Sequence, residues 1–382
     1  MSAWRTIRYR AEQEAERSAK KGIERMKWED NIRKITPYTP GEQPNGRNVI
    51  KLNTNENPYP PAPGVADQLV MLNLDQMRLY PAFPEQTKLA EALAKHYQIQ
   101  KDQLFIGVGS DDVLSLAFMT FFQSKRPVFF PDITYSFYDV WADLYRIPYE
   151  TKALDENFCI RPEDYRQPNG GVVFPNPNAP TGVLMDLRQV EEIIEANRDV
   201  VVIVDEAYID FGGISCLPLI RKYDNLLVVQ TFSKSRSMAG MRIGYAMGNP
   251  KLIGYLNDVK YAVNSYTLNY AALQLGVEAV KDEAYFRENC DKIVTTRRHA
   301  EEALRRLGFV FPKSYGNFIF ASHKVVEARE IFEKLKENDI YVRWWNKKGI
   351  DNYLRITIGT EEQMEALYRA LEKICGQNSN LR

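Results

Sequence analysis

Five short apolar runs constrain the fold of this chain more than any other feature. They are Val128–Phe130, Val172–Phe174, Val200–Val204, Leu226–Thr231 and Ile243–Met247, each bounded by turn residues. Helix-like stretches such as Leu187–Asn197 separate several of them. Strands that alternate with helices predict a parallel sheet in a doubly wound α/β domain. The runs are almost wholly apolar because strands of such a sheet are buried on both faces. Upstream, the spacing of Leu89, Leu93 and Tyr97 predicts a helix over Gln86–Tyr97, and a second follows Ser110 through Val113–Phe121.

The last part of the chain reads differently. Helices are expected over Arg287–Leu307 and Val325–Asn338, with strands at Phe318–Ala321, Ile340–Val342 and Tyr353–Ile358. That pattern describes a smaller α+β domain. The proline-rich stretches Thr36–Pro44 and Asn57–Pro63 read as an irregular, extended arm. A chain of 382 residues is long enough for a large domain and a smaller companion. The expected division is an N-terminal extension, disordered or helical, over 1–25, an arm and part of the small domain over 26–80, the large domain over 81–284, and the small C-terminal domain over 285–382.

Charge and cysteine usage narrow the partners. Lys+Arg and Asp+Glu number 50 each, so no global basic field points to nucleic acid or to an acidic membrane. Cys159, Cys216, Cys290 and Cys375 are far apart, and His96, His299 and His323 are isolated. Neither a disulfide framework nor a metal site is expected, and the chain reads as reduced and cytoplasmic. No apolar run approaches the roughly 18 residues of a membrane span. Met1–Arg25 has no apolar core, so it does not read as a secretory signal, and Met26 is an alternative natural start.

In open α/β sheets ligands bind beyond the carboxyl ends of the strands. The residues just after each run are therefore the informative ones. Val200–Val204 is followed by Asp205-Glu206-Ala207-Tyr208, and Leu226–Thr231 by Phe232-Ser233-Lys234 and then Arg242. Val172–Phe174 leads into Asn176-Pro177-Asn178-Ala179-Pro180-Thr181-Gly182. This set suits pyridoxal phosphate chemistry. Such an enzyme needs a lysine amine to form an imine, a carboxylate on the pyridine nitrogen, a donor to the phenolic oxygen, an aromatic plate and a phosphate cradle. A buried carboxylate–pyridinium hydrogen bond is worth roughly 1.5–3 kcal/mol. Lys234, Asp205, Tyr208, Tyr135 and the group Ser110, Ser233 and Arg242 offer one candidate for each need.

Taken together, several stretches resemble the fold-type-I pyridoxal-phosphate-dependent transferases, and specifically the histidinol-phosphate aminotransferase family. They are Leu52-Asn53-Thr54-Asn55-Glu56-Asn57-Pro58, Leu79-Tyr80-Pro81, Gly109-Ser110-Asp111, Asp205-Glu206-Ala207-Tyr208, Ser233-Lys234 with Arg242, and Leu354-Arg355-Ile356-Thr357. The similarity runs from about Met26 to Ile374. It implies an α/β fold in which the large domain holds pyridoxal 5'-phosphate on a mostly parallel sheet flanked by helices. It also implies transamination of L-histidinol phosphate with 2-oxoglutarate, giving imidazole acetol phosphate and glutamate, a step of histidine biosynthesis.

The resemblance assigns roles by position. Lys234 would carry the cofactor and shuttle the proton at Cα, Asp205 would pair with the pyridine nitrogen, and Tyr208 would donate to the phenolic oxygen. Tyr135 would stack on the ring. Ser110, Asp111 through its backbone N–H, Ser233 and Arg242 would hold the phosphate, joined by Tyr80 from a neighbouring subunit of a homodimer. Arg355 with Arg343 would bind the anionic end of the substrate, with Tyr59 helping from the partner. One position departs from the pattern, because Ala179 stands where the family has asparagine. Asn178 is the candidate replacement.

Blander readings accompany these. Asp205 could cap a turn, Ser110 could be an N-cap with Asp111 and Asp112 in the first turn, Tyr135 could be core, and Arg343 could pack on Trp344 and Trp345. The acidic pair would repel a phosphate, so both side chains are expected to point away from it. Rival functions are an aromatic amino-acid aminotransferase, a threonine-phosphate decarboxylase of the same fold, and, remotely, a non-catalytic regulator.

Overall fold

The structure is a computed structural model that describes residues 27–46 and 48–376. The proposed N-terminal extension lies outside them. The chain divides into two units, 1–37 and 38–382. The described part of the first contains one 3₁₀ turn, Trp28–Asn31. The second unit carries the described strands and the cavity.

Its thirteen described strands are β1 (Ile50–Lys51), β2 (Leu104–Gly107), β3 (Val128–Pro131), β4 (Tyr149–Lys152), β5 (Gly171–Pro175), β6 (Val202–Asp205), β7 (Leu226–Thr231), β8 (Gly244–Gly248), β9 (Phe309–Val310), β10 (Phe318–His323), β11 (Ile340–Tyr341), β12 (Arg343–Trp344) and β13 (Leu354–Thr357). Seven form the main sheet in the order β2-β8-β7-β6-β5-β3-β4. From β7 to β4 the pairing is parallel, while β8 runs antiparallel to both β7 and β2. The run expected at Ile243–Met247 is therefore a strand, but it breaks the parallel pattern.

Alternation along the central strands explains why these runs looked uniformly apolar. Val202 and Val204 of β6 and Leu226 and Val228 of β7 face one core. Ile203, Leu227 and Val229 face the other. Each such buried side chain contributes on the order of 1.5–3 kcal/mol, so the sheet is fixed from both sides. Helices Lys88–Tyr97 and Tyr270–Lys281 cover the first face, and Gly109–Phe121 and Pro250–Val263 cover the second.

A second core holds the sheet β12-β13-β10-β9 with helices Glu283–Arg306, Ala328–Glu337 and Glu361–Gly376. Leu52, just after β1, packs into this core too, and β1 pairs with β11. The segment after Asn57 is not extended throughout, because a helix begins at Pro63 and runs to Val70. Proline at the first helical position lacks an N–H that the helix would leave unbonded anyway. Among the described residues no helix is long and apolar enough to cross a membrane.

Candidate active site

β5, β6 and β7 run in the same direction, so their carboxyl ends open on one edge of the sheet. A cavity of about 170 Å³ lies there. Eight residues singled out from the sequence line it: Ser110, Asp111, Tyr135, Asp205, Tyr208, Ser233, Lys234 and Arg242. Thr54, Glu56 and Ala179 complete much of the wall.

Asp205 sits at the last position of β6 and is 5% exposed. Burial pushes its carboxyl up to about 7, and the Ala207 N–H and the Tyr138 hydroxyl, at 3.2 Å each, recover only part of that cost. No lysine, arginine or histidine among the described residues forms an ion pair with it. The turn-cap reading is also satisfied, since the Ala207 N–H is the group capped. The two hydrogen bonds use different oxygens, as Tyr138 donates to the second one.

The helix Gly109–Phe121 begins beside the same cavity, which Ser110 and Asp111 line. Its cap is Val108, whose N–H donates to Asp112 Oδ2 at 2.9 Å, so Ser110 is a first-turn residue and not the N-cap. The expectation that both acids turn away holds for Asp112 alone. Asp111 lines the cavity, accepts the Tyr135 hydroxyl at 2.6 Å, and lies 3.5 Å from the Arg242 guanidinium. A neighbouring cation makes an inward carboxylate tolerable. Arg242 also donates to Ser233 Oγ at 3.3 Å.

Two glycines permit this packing. A Cβ on Gly109, where φ is +82°, would stand 2.5 Å from Arg242 Nη2, and one on Gly244 would stand 2.2 Å from the Gly109 carbonyl carbon. Free N–H groups at a helix start, an arginine and a serine hydroxyl make an anion-binding cradle.

Lys234 follows β7, with its amine donating to the Thr54 carbonyl at 3.0 Å. The stretch Asn53–Asn57 surrounds this lysine and its neighbours. The Asn53 carbonyl accepts from Arg355, Asn55 Nδ2 donates to the Tyr208 hydroxyl at 3.0 Å, and Asn57 Nδ2 donates to the Lys234 carbonyl at 3.0 Å. Glu56 faces the cavity. Burial works to raise its carboxyl, but the hydrogen bonds from Lys51 and Thr54 outweigh it and hold the group below the usual range. Apart from the two bonds to Glu56, these contacts span sequence separations of more than a hundred residues, so the motif was visible but its wiring was not. Tyr138 was missed because an aromatic in an apolar helix looks like core.

The remaining candidates lie outside the cavity lining. Asn178 spends its amide on the Ile133 carbonyl, Thr181 and Thr134, and it is Ala179 that presents a methyl group to the cavity. Tyr80 is 81% exposed and stacks on Tyr266. Tyr59 packs against the second core with Lys292 over its ring. Arg343 donates to the Thr39 and Pro40 carbonyls and lies over the Trp345 ring, and Arg355 lies over the rings of both Trp345 and Phe318. Arg343 and Arg355 are directly opposed across β12 and β13, and Arg355 Nε is buried with no hydrogen-bond partner.

The fold and this cavity define a class. The family "Aminotransferase class I and II" matches residues 47–371, and the chain belongs to it, a pyridoxal-phosphate-dependent family. Within that class it belongs with the histidinol-phosphate aminotransferases. It is 47% identical over 348 residues to the histidinol-phosphate aminotransferase of Lactococcus lactis subsp. cremoris (strain MG1363), covering 91% of this chain and 98% of that one. It is 49% identical to histidinol-phosphate aminotransferase 1 of Hydrogenovibrio crunogenus, covering 91% and 97%. The fold is shared with the solved histidinol-phosphate aminotransferase of Sinorhizobium meliloti in complex with pyridoxal-5'-phosphate, at TM-score 0.79 and 23% identity, covering 87% of this chain and 92% of that one.

Proposed function

We propose that the chain transfers the amino group of L-histidinol phosphate to 2-oxoglutarate, as a step of histidine biosynthesis in the cytoplasm. The observation that carries this reading is the gathering of Lys234, Asp205 and the anion cradle around one cavity in a chain so close to histidinol-phosphate aminotransferases. Cys159, Cys216 and Cys290 are free thiols, which fits a reducing compartment.

The residues present fit pyridoxal phosphate. Asp205 is a buried acid that lacks a cation and faces the cavity, which suits a protonated pyridine nitrogen. The start of Gly109–Phe121, with Ser110, the Asp111 N–H, Ser233 and Arg242, suits a phosphate. Tyr135 supplies a ring face and Tyr208 a hydroxyl. Bound pyridoxal phosphate supplies an aldehyde that takes the amino group and a ring that holds the electron pair released at Cα.

The chain's own residues do the rest. Once the substrate amine has displaced it from the cofactor aldehyde, Lys234 Nζ would take the proton from the substrate Cα and deliver it to the former aldehyde carbon, so that one amine serves as base and then as acid. Arg355 and Arg343 receive the substrate's anionic end. Like charges opposed across two strands are unfavourable until an anion lies between them. The domain limits 81–284 and 285–382 belong to this proposal, with the cradle in the first and the arginine pair in the second. Residues Leu69, Val70, Met71, Leu74, Met77, Leu79 and Tyr80 form an exposed apolar stretch that suits a homodimer in which Tyr80 and Tyr59 reach the partner's site.

The purified holoenzyme tests the reading. Glutamate should form from 2-oxoglutarate when L-histidinol phosphate is the donor, and Lys234→Ala should abolish it. Carbon dioxide released from O-phospho-L-threonine, or turnover of L-tyrosine with none of histidinol phosphate, would replace this function with one of its rivals.

A further inference from the structure

Two phenols, Tyr135 and Tyr208, line the cavity, and a third, Tyr138, lies behind Asp205. Tyr135 gives its proton to Asp111 and Tyr138 gives its proton to Asp205. Tyr208 alone among them receives a hydrogen bond, from Asn55 Nδ2. The direction of that bond is set further back. The Asn55 backbone N–H donates to Thr357 Oγ1 at 3.0 Å, so the Thr357 proton is free to donate to Asn55 Oδ1, also at 3.0 Å. Turning the amide over would leave the buried Thr357 hydroxyl proton with no acceptor. Oδ1 therefore faces Thr357 and Nδ2 faces Tyr208.

Asn55 is held firmly in this pose. It is fully buried, its φ is +55°, and its carbonyl accepts from Asn317 Nδ2 at 3.0 Å. Asparagine is one of few residues that adopt this left-handed conformation readily. An oxygen that already accepts on the Asn55 side must send its own proton elsewhere, and the cavity is what Tyr208 lines. Ala179 offers no amide on the same wall, and Asn178 is spent elsewhere.

We infer that Asn55, oriented by Thr357, is a positioning residue that aims the Tyr208 hydroxyl proton into the cavity. This rests on the reading of the cavity as the pyridoxal phosphate site. The residue acts through Tyr208 and touches no substrate. It makes one phenol a dedicated donor to the phenolic oxygen where an asparagine neighbour is missing.

The test reads the pH midpoint of the bound cofactor's visible absorbance, with cofactor affinity alongside. It compares wild type, Asn55→Asp, Tyr208→Phe and the double variant. Aspartate tolerates the same backbone and still accepts from Thr357, but it offers Tyr208 an acceptor and draws the proton away from the cavity. A donor to an oxygen stabilises its anionic form, so the midpoint should rise by about one unit in either single variant. The double variant should show no additional rise, because both changes remove one interaction.

An unmoved midpoint in Asn55→Asp beside a raised one in Tyr208→Phe overturns the positioning role. Additive shifts overturn it too, since Asn55 would then act by its charge alone. A wild type that binds no cofactor, or a Tyr208→Phe variant with an unmoved midpoint, overturns the underlying reading of the cavity as well. Should Asn55→Asp fail to fold, Thr357→Val and Thr357→Ser carry the same question. Valine should raise the midpoint and serine should leave it in place, and equal midpoints overturn the inference.

Discussion

At the scale of single residues, Asp205 is where the fold accepts an unfavourable charge. A buried carboxyl whose pKa is raised to about 7 binds its proton more tightly in the folded chain than in the unfolded one. The sign of the linkage follows. The favourable contribution is complete below the unfolded value near 4 and is lost as pH rises through 7. Without cofactor, the wild type should lose stability between about pH 4 and 8, on the order of a few kcal/mol by this group alone. Asp205→Asn removes the titration, so its melting temperature should change less over that range. Parallel melting curves for the two proteins would show that Asp205 is already compensated. If the carboxylate pairs with the cofactor's protonated pyridine nitrogen, Asp205→Asn should lower turnover of the holoenzyme by about 10²–10³-fold.

At the scale of elements, the cradle depends on how closely β8 approaches the start of the helix Gly109–Phe121. A Cβ at Gly244 would meet main-chain atoms of Gly109 and Ser110 at 2.2 and 2.3 Å, and backbone cannot swing aside. Gly244→Ala should cost about 1–3 kcal/mol or more in urea unfolding and weaken the hold on the cofactor phosphate together with it. Gly240→Ala is the control, as nothing lies within 4 Å of its Cβ position. Equal stability of the two variants would show that β8 can shift at no cost.

The same elements show what was legible in the sequence. β5, β6 and β7 stood out because residues on both of their faces are buried. β4, with Tyr149, Glu150 and Thr151 exposed at the sheet edge, carried no such pattern, and the direction of β8 is a property of pairing that composition does not encode. The strand-end residues Asp205, Tyr208 and Lys234 were legible because topology puts such positions at the ligand edge. Asn55 and Thr357 were not, since their bond joins positions 302 residues apart and neither side chain is unusual for its place.

At the scale of the whole molecule, ten of the exposed large apolar side chains among the described residues fall in two segments, 69–80 and 255–266. Leu74 is 74% exposed, Met71 73% and Tyr80 81%, and Tyr255, Val263 and Tyr266 add further exposed apolar surface. Tyr80 stacks on Tyr266, which ties the loop to the helix Pro250–Val263 region. A patch of this kind marks a surface covered by another protein, and a cyclic dimer buries the same patch on both copies. If Tyr80 completes the partner's cavity, Lys234→Ala and Tyr80→Ala homodimers should each be nearly inactive. Unfolding and refolding them together at equal amounts should restore activity. Half of the dimers would then be mixed, and each mixed dimer has one cavity with both an intact Lys234 and an intact Tyr80, so about a quarter of wild-type activity should return. Recovery that stays at the level of the separate variants, in a sample shown by sedimentation to be dimeric, would mean that Tyr80 serves its own chain or none. Recovery with a monomer in sedimentation would remove the dimer itself from the explanation.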